Sequence, residues 1–185
     1  DQVVSIGELI SSVILHYYLL EKKAPSEWID ARIFIRTDNS FREGKVDWAT
    51  TSDNIQKLKT ILANNIIITQ GFIGRTPDGF TTTLGREGSD FSAAIFGSSL
   101  NVSSVTIWKD VAGVMSADPK LSDDAMKLEQ ISYHDAIELT YYGATVIHPK
   151  TIKPLENKHI PLRVCSFKAP QDKGTSIGNY QATKP

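Results

Sequence analysis

Cysteine is nearly missing from this chain: Cys165 stands alone among 185 residues. One thiol excludes an internal disulfide framework. It lies in the apolar run Ile160-Pro-Leu-Arg-Val-Cys-Ser-Phe167, which reads as a strand carrying a buried, inert thiol rather than a nucleophile. An excess of either charge is missing too, with 20 Lys and Arg against 21 Asp and Glu and a formal net charge of −1. A general nucleic-acid binder needs a basic excess to displace counterions, so that class is excluded. A single bound nucleotide stays open, since one phosphate site needs only a few local donors. No apolar run approaches the roughly 20 residues that span a bilayer. The longest candidate, Val13 to Leu20, is short and contains His16. With no signal peptide and no initiating Met, a cytoplasmic protein given as a piece of a longer chain is the expectation, with neither nucleic acid nor membrane as partner.

What is present describes a globular domain. A hydrophobic fraction of 41% beside 22% charged residues fits a soluble protein, and residues 1–185 suffice for one domain with a sizeable core. Ile6, Leu9, Ile10, Val13, Ile14, Tyr17 and Leu20 are spaced as one face of a helix, with Ser5 as its cap and Glu8 in the capping-box position. Arg32 to Ile35 reads as a short buried strand, and Thr37 to Asp47 as a mobile surface loop. A second helix is expected from Thr51 to about Ala63, with Ile55, Leu58, Ile61 and Leu62 inward. Ile66 to Thr69 reads as a strand buried on both faces. Thr76-Pro-Asp-Gly79 is a turn, with Phe80 to Leu84 the returning arm of a hairpin. Helix is expected from Ser89 to Leu100, Ser132 to Tyr142 and around Lys150 to Lys158, and strand at Val105 to Trp108 and Leu162 to Ser166. This alternation implies an α/β fold with an open, mostly parallel sheet flanked by helices.

The segment with most chemistry is Thr81-Thr-Thr-Leu-Gly-Arg-Glu-Gly-Ser-Asp90, between a strand and a helix. Gly85 and Gly88 permit a turn and close backbone approach. The helix start offers unpaired N–H groups and a positive dipole end, and Arg86 adds a planar fork of donors suited to a carboxylate or phosphate. Asp90 opposes a lone anion but suits a ligand that also carries an ammonium, or a role orienting a lysine. The same residues also describe a purely structural turn with a helix cap. His148 reads as a packing or hydrogen-bonding residue, because it lacks the partner spacing of a metal ligand.

The wider pattern narrows the choice. Gln70-Gly-Phe-Ile-Gly74, Thr81 to Asp90, Ile107-Trp-Lys-Asp110, Gly113, Asp118-Pro119 and Tyr142-Gly-Ala-Thr-Val-Ile-His-Pro149 closely resemble aspartate kinases of the amino acid kinase superfamily. Order and spacing match from Ser5-Ile-Gly-Glu8 to Gly174-Thr175. Kinases of glutamate, acetylglutamate, carbamate or UMP share the fold but not this set.

The resemblance implies an intact enzyme that phosphorylates the β-carboxylate of L-aspartate with ATP and Mg²⁺, without a tightly bound cofactor. The product would be 4-phospho-L-aspartate, for lysine, threonine and methionine synthesis. By the same resemblance Glu8 contacts the substrate ammonium, Phe72 walls the site, Arg86 pairs with the α-carboxylate, and Gly88 and Ser89 complete the pocket. Asp90 would orient the lysine that holds the phosphates. Lys109, Asp110, Met115, Asp118, Pro119, Lys120, Thr145 and Val146 would frame the nucleotide, and a homo-oligomer is implied at full length. The chain departs from the pattern in five places. The family's Lys-Phe-Gly-Gly segment and its terminal pair of regulatory ACT domains are not in it. Glu87 stands where a glycine is usual, and Thr145 where many members carry lysine. Lys109 stands where many carry threonine. The isolated piece is therefore expected to have little or no kinase activity. A kinase of another small acidic substrate and a non-catalytic regulatory subunit are the alternatives.

Overall fold

The computed structural model of the chain describes residues 1–117, 124–141 and 146–181. Its contacts gather into two compact units, Asp1–Ser92 and Ala93–Pro185.

The first unit opens with helix α1 (Ser5–Glu21). Its apolar spacing implied an inward face, yet Ile6, Ile10, Ile14, Tyr17 and Leu20 are between 45% and 66% exposed, while Ser5 and Ser12 are buried. A polar bolt sets this rotation. Ser12 Oγ accepts from Trp28 Nε1 at 3.0 Å and Gln70 Nε2 at 2.8 Å, and donates to Leu9 O at 2.9 Å. The buried Gln70 side chain also accepts the Ala31 N–H at 2.8 Å and donates to Ile29 O at 3.3 Å. Leaving such groups unpaired costs about 1–3 kcal/mol each, so the hydroxyl face wins over the apolar one. The expected Ser5 cap does not form either. Val4 is the N-cap, without a side-chain bond, and Ser5 donates back to Gln2 O.

Strand β1 (Ser26–Trp28) pairs in parallel with β2 (Ile66–Ile68). β2 is less covered than its isoleucine run implied, for Ile66 is 48% exposed. Arg32 to Ile35, read as a strand, instead falls in a helical turn, α2 (Ala31–Phe34). Asp30 imposes it by accepting the Arg32 N–H at 3.0 Å and gripping the Arg32 guanidinium with both oxygens at 2.6–3.1 Å. Burial opposes the Asp30 carboxylate, but those bonds outweigh it and hold its pKa below the ordinary 3.8. α3 (Trp48–Gln56), capped by Asp47, begins ahead of the expected start at Thr51, which is fully buried and accepts the Arg36 N–H. The expected single helix breaks and resumes as α4 (Lys59–Leu62), burying Leu58 but leaving Leu62 41% exposed.

The hairpin forms as the turn chemistry implied, with β3 (Ile73–Arg75) antiparallel to β4 (Thr81–Thr83). The stretch 37–47 is laced to it. Thr37 N–H donates to Arg75 O and Gly44 N–H to Thr83 O, while the Thr37 and Thr82 hydroxyls meet at 2.7 Å in burial. Helix α5 (Gly88–Leu100) leaves the hairpin and continues into the second unit.

There the sheet runs β5-β7-β8-β6, with β5 (Val105–Lys109), β6 (Gln130–Ser132), β7 (Leu162–Ser166) and β8 (Thr175–Gly178). β5–β7 and β6–β8 are parallel and β7–β8 antiparallel. Among the described residues most ladders are thus parallel and helices flank them, the α/β class the alternation implied. Helices α6 (Tyr133–Tyr141) and α7 (Pro149–Glu156) belong to this unit, whose core includes Ile107, Ile152, Leu155, Leu162, Val164 and Ile177. His148 caps α7 through Nδ1, and Cys165 is buried. The Gly174-Thr175 pair is structural. Gly174 has φ +67°, and a Cβ there would collide with the Val164 carbonyl. Thr175 Oγ1 accepts the Val114 N–H and donates to Leu128 O, tying two loops to β8.

Two outcomes follow. Gln70→Ala removes one of the three Ser12 partners and the acceptor of the Ala31 N–H, and is expected to lower stability in urea unfolding by about 2–4 kcal/mol. A loss within the scatter of surface substitutions contradicts the bolt. Because the folded Asp30 pKa is depressed, its stabilisation is present above 3.8 and lost as pH falls through the lower folded value. Asp30→Asn should therefore flatten the decline of the unfolding midpoint between about pH 5 and pH 2, and an unchanged profile speaks against it.

Candidate substrate-binding site

Separate stretches of the first unit meet at a cleft of about 750 Å³. The start of the chain and α1 supply Asp1, Val4 and Glu8, and the residue ahead of β3 supplies Phe72. The 37–47 stretch supplies Arg42, and the end of β4 with the turn into α5 supplies Thr83 and Gly85 to Ser89. All five residues that the resemblance assigned to the amino-acid substrate, Glu8, Phe72, Arg86, Gly88 and Ser89, line this cleft.

The lining backbone is bent in an uncommon way. Arg42 (φ 68°), Phe72 (φ 70°) and Glu87 (φ 51°) are left-handed, beside Gly85 at φ 77°. Each non-glycine residue there costs about 1–2 kcal/mol, so the surroundings must impose the conformation. At Phe72 the imposing bonds are visible. Its carbonyl accepts the Leu84 N–H at 2.8 Å, and its own N–H donates to Ser92 Oγ at 2.9 Å. Its ring lies on the first turn of α5, where a Cβ on Gly88 would stand 2.6 Å from Phe72 Cδ2 and 3.3 Å from Phe72 Cα. Only glycine allows that approach. The other rim is held by Asp1, whose Oδ2 accepts the Arg42 N–H at 2.8 Å and the Thr83 N–H at 3.0 Å.

The cleft carries both signs of charge. Arg42 and Arg86 bring guanidinium groups, Glu8 and Glu87 carboxylates, and the first turn of α5 brings the positive end of a helix. Arg86 and Ser89 are exposed to solvent. A ligand with a carboxylate at one end and an ammonium at the other matches such a wall better than a simple anion does. Asp90 sits half-buried in the same first turn, one residue beyond the lining.

The described residues of the nucleotide group lie in the second unit. Lys109 ends β5, and Asp110 follows it with Lys168 Nζ at 3.9 Å. Met115 bridges to Lys127, and Val146 packs on the hydrophobic core. Asp118, Pro119, Lys120 and Thr145 lie outside the described residues. Among the described residues one group has metal-ligand atoms close together, His134, Asp135 and Glu138 on α6. It is a solvated helix face, with His134 77% and Glu138 60% exposed. No helix among the described residues is long and apolar enough to cross a membrane.

Sequence reasoning missed Asp1, Arg42, Thr83 and Ser92. Nothing in their spacing marks them, since Arg42 lies in a polar turn-rich stretch and Ser92 inside a helix.

The cleft is thus built where a glycine turn enters a helix, in an α/β domain, and carries both signs of charge. The chain belongs to the amino acid kinase family, which matches it over residues 1–166. It is 37% identical over its whole length to lysine-sensitive aspartokinase 3 of Escherichia coli (strain K12), and spans 41% of that protein. It is 39% identical to a chloroplastic bifunctional aspartokinase/homoserine dehydrogenase 2 of Zea mays, of which it spans 20%. A crystal structure of E. coli aspartokinase III in complex with aspartate and ADP superposes on the whole chain with a TM-score of 0.94, the chain covering 42% of it.

Gly88→Ala tests the close approach. Overpacking against Phe72 costs about 1–3 kcal/mol and should exceed the gain of about 1 kcal/mol in helix propensity, giving a net loss in urea unfolding. Unchanged or raised stability contradicts the contact.

Proposed function

We propose that the chain is catalytic core of an aspartate kinase, transferring the γ-phosphoryl of ATP to the β-carboxylate of L-aspartate to give 4-phospho-L-aspartate. One observation carries this reading: Glu8, Phe72 and the turn of Arg86, Gly88 and Ser89, from three stretches of the sequence, line a single cleft with both charges. Its likeness along the whole chain to an aspartokinase crystallised with aspartate and ADP supports it. Arg86 pairs with the α-carboxylate and Glu8 with the ammonium. Phe72 shields one side, and the helix start at Gly88 and Ser89 offers its N–H groups. Asp90 orients a phosphate-holding lysine.

In this reading ATP, as its Mg²⁺ complex, is held by Lys109, Asp110, Met115 and Val146, and the family resemblance adds Asp118, Pro119, Lys120 and Thr145, which lie outside the described residues. The β-carboxylate attacks the γ-phosphorus in line. A carboxylate is already ionised near neutral pH, so no general base is required, and the rate comes from positioning and from neutralising charge. The chain spans under half of the E. coli relative, and we take residues 1–185 as part of one catalytic domain in a longer cytoplasmic enzyme that forms a homo-oligomer. The product feeds amino-acid biosynthesis in this reading.

Isothermal titration of residues 1–185 with L-aspartate, L-malate and L-glutamate tests the assignment. L-Aspartate should bind tightest, and L-malate, which lacks the ammonium, should lose the Glu8 contribution. Arg86→Ala should weaken L-aspartate by about ten- to a hundredfold, the scale of a charge-assisted hydrogen bond. Equal binding of malate, or of aspartate by the variant, contradicts the pocket.

A further inference from the structure

We infer that Ser92 is a positioning residue for the amino-acid site, acting as a clip between the aromatic wall and the helix start; this rests on the reading of the cleft given above. Ser92 is 2% exposed and does not line the cleft. Its hydroxyl donates to Gly88 O at 2.9 Å, and that bond turns a lone pair toward the Phe72 N–H, which it accepts at 2.9 Å. A helical serine commonly bonds the carbonyl four residues back and does nothing more. Here the same atom also fixes a residue from another segment in a conformation that disfavours side chains, at φ 70°.

Three restraints hold Phe72 in place: the Leu84 N–H on its carbonyl, the glycine floor at Gly88, and Ser92 on its N–H. The third is a hydrogen bond from the Phe72 backbone to the helix whose opening residues, Gly88 and Ser89, line the cleft, and it adds direction to the packing at Gly88. Burial leaves little room for water to take over when the hydroxyl is removed. Ser92→Ala would then leave the Phe72 N–H without this partner and free the backbone to leave the left-handed region, shifting the ring away from Arg86 and Ser89. The outcome is a looser cleft on an intact fold.

The test uses the full chain of residues 1–185, with L-aspartate titrated calorimetrically and amide exchange followed by NMR. Ser92→Ala should raise Kd for L-aspartate about tenfold and speed exchange of the Phe72 amide, whereas Ser92→Thr, which keeps the hydroxyl, should stay within about twofold of the parent. Ala94→Gly on the same helix should lower the unfolding midpoint yet leave Kd unchanged, separating site geometry from general stability. If Ser92→Ala does not fold, Ser92→Cys carries the same expectation, since a thiol is a weak donor and acceptor. Parent protein that binds with Ser92→Ala unchanged in Kd, or with an unaltered Phe72 amide, overturns the clip and leaves the aspartate reading standing. Parent protein that binds no L-aspartate overturns that reading, and the role of Ser92 with it.

Discussion

The contact of Phe72 with the first turn of α5 is the constraint from which the rest of the site follows. A side chain at position 88 would enter the ring, so the backbone there must be bare. With the ring set so close, Phe72 takes a left-handed conformation, and the hairpin can return only with the Leu84 N–H reaching the Phe72 carbonyl. That return places Gly85 to Ser89 along the same rim. Strain at Phe72 is thus distributed over a glycine, a serine and a strand end rather than stored in one bond. Glu87 carries the same kind of strain without glycine's freedom.

Charge complements this geometry. Arg86 and the helix start favour the anionic end of a ligand, and Glu8 favours a cationic one. Glu8 can play this part because α1 is docked through hydroxyls and an amide instead of through its isoleucines. Ser12, one turn beyond Glu8, bonds to Gln70, two residues before Phe72. That hydrogen bond ties the helix carrying Glu8 to the segment leading into Phe72, and the helix rotation that exposes Ile10 and Ile14 follows from the same bolt.

Much of this was legible in the residues. The class of fold, the Thr76-Pro-Asp-Gly79 turn, α5 and the pairing-competent runs β5 and β7 follow from period and turn chemistry. What escaped did so for physical reasons. β6 and β8 span three and four residues, too few to show a period. Arg32 to Ile35 has the composition of a strand, and only the Asp30 cap turns it into helix. The α1 face failed because apolar spacing records which residues share a side, not which side is buried. In the cleft, Arg86 and the glycines were visible as a strand-to-helix turn, and the family likeness added Glu8 and Phe72. Asp1, Arg42, Thr83 and Ser92 act through backbone bonds or strained conformations, which leave no trace in residue type.

The central claim, that one zwitterion bridges α1, Phe72 and the turn into α5, is tested most directly by a residue-resolved NMR titration of the chain with L-aspartate. The amides of Glu8, Phe72, Arg86 and Ser89 should shift together with a single saturation curve, while those of β8 in the second unit stay still. Shifts confined to the second unit, or separate saturation of Glu8 and Arg86, would contradict it.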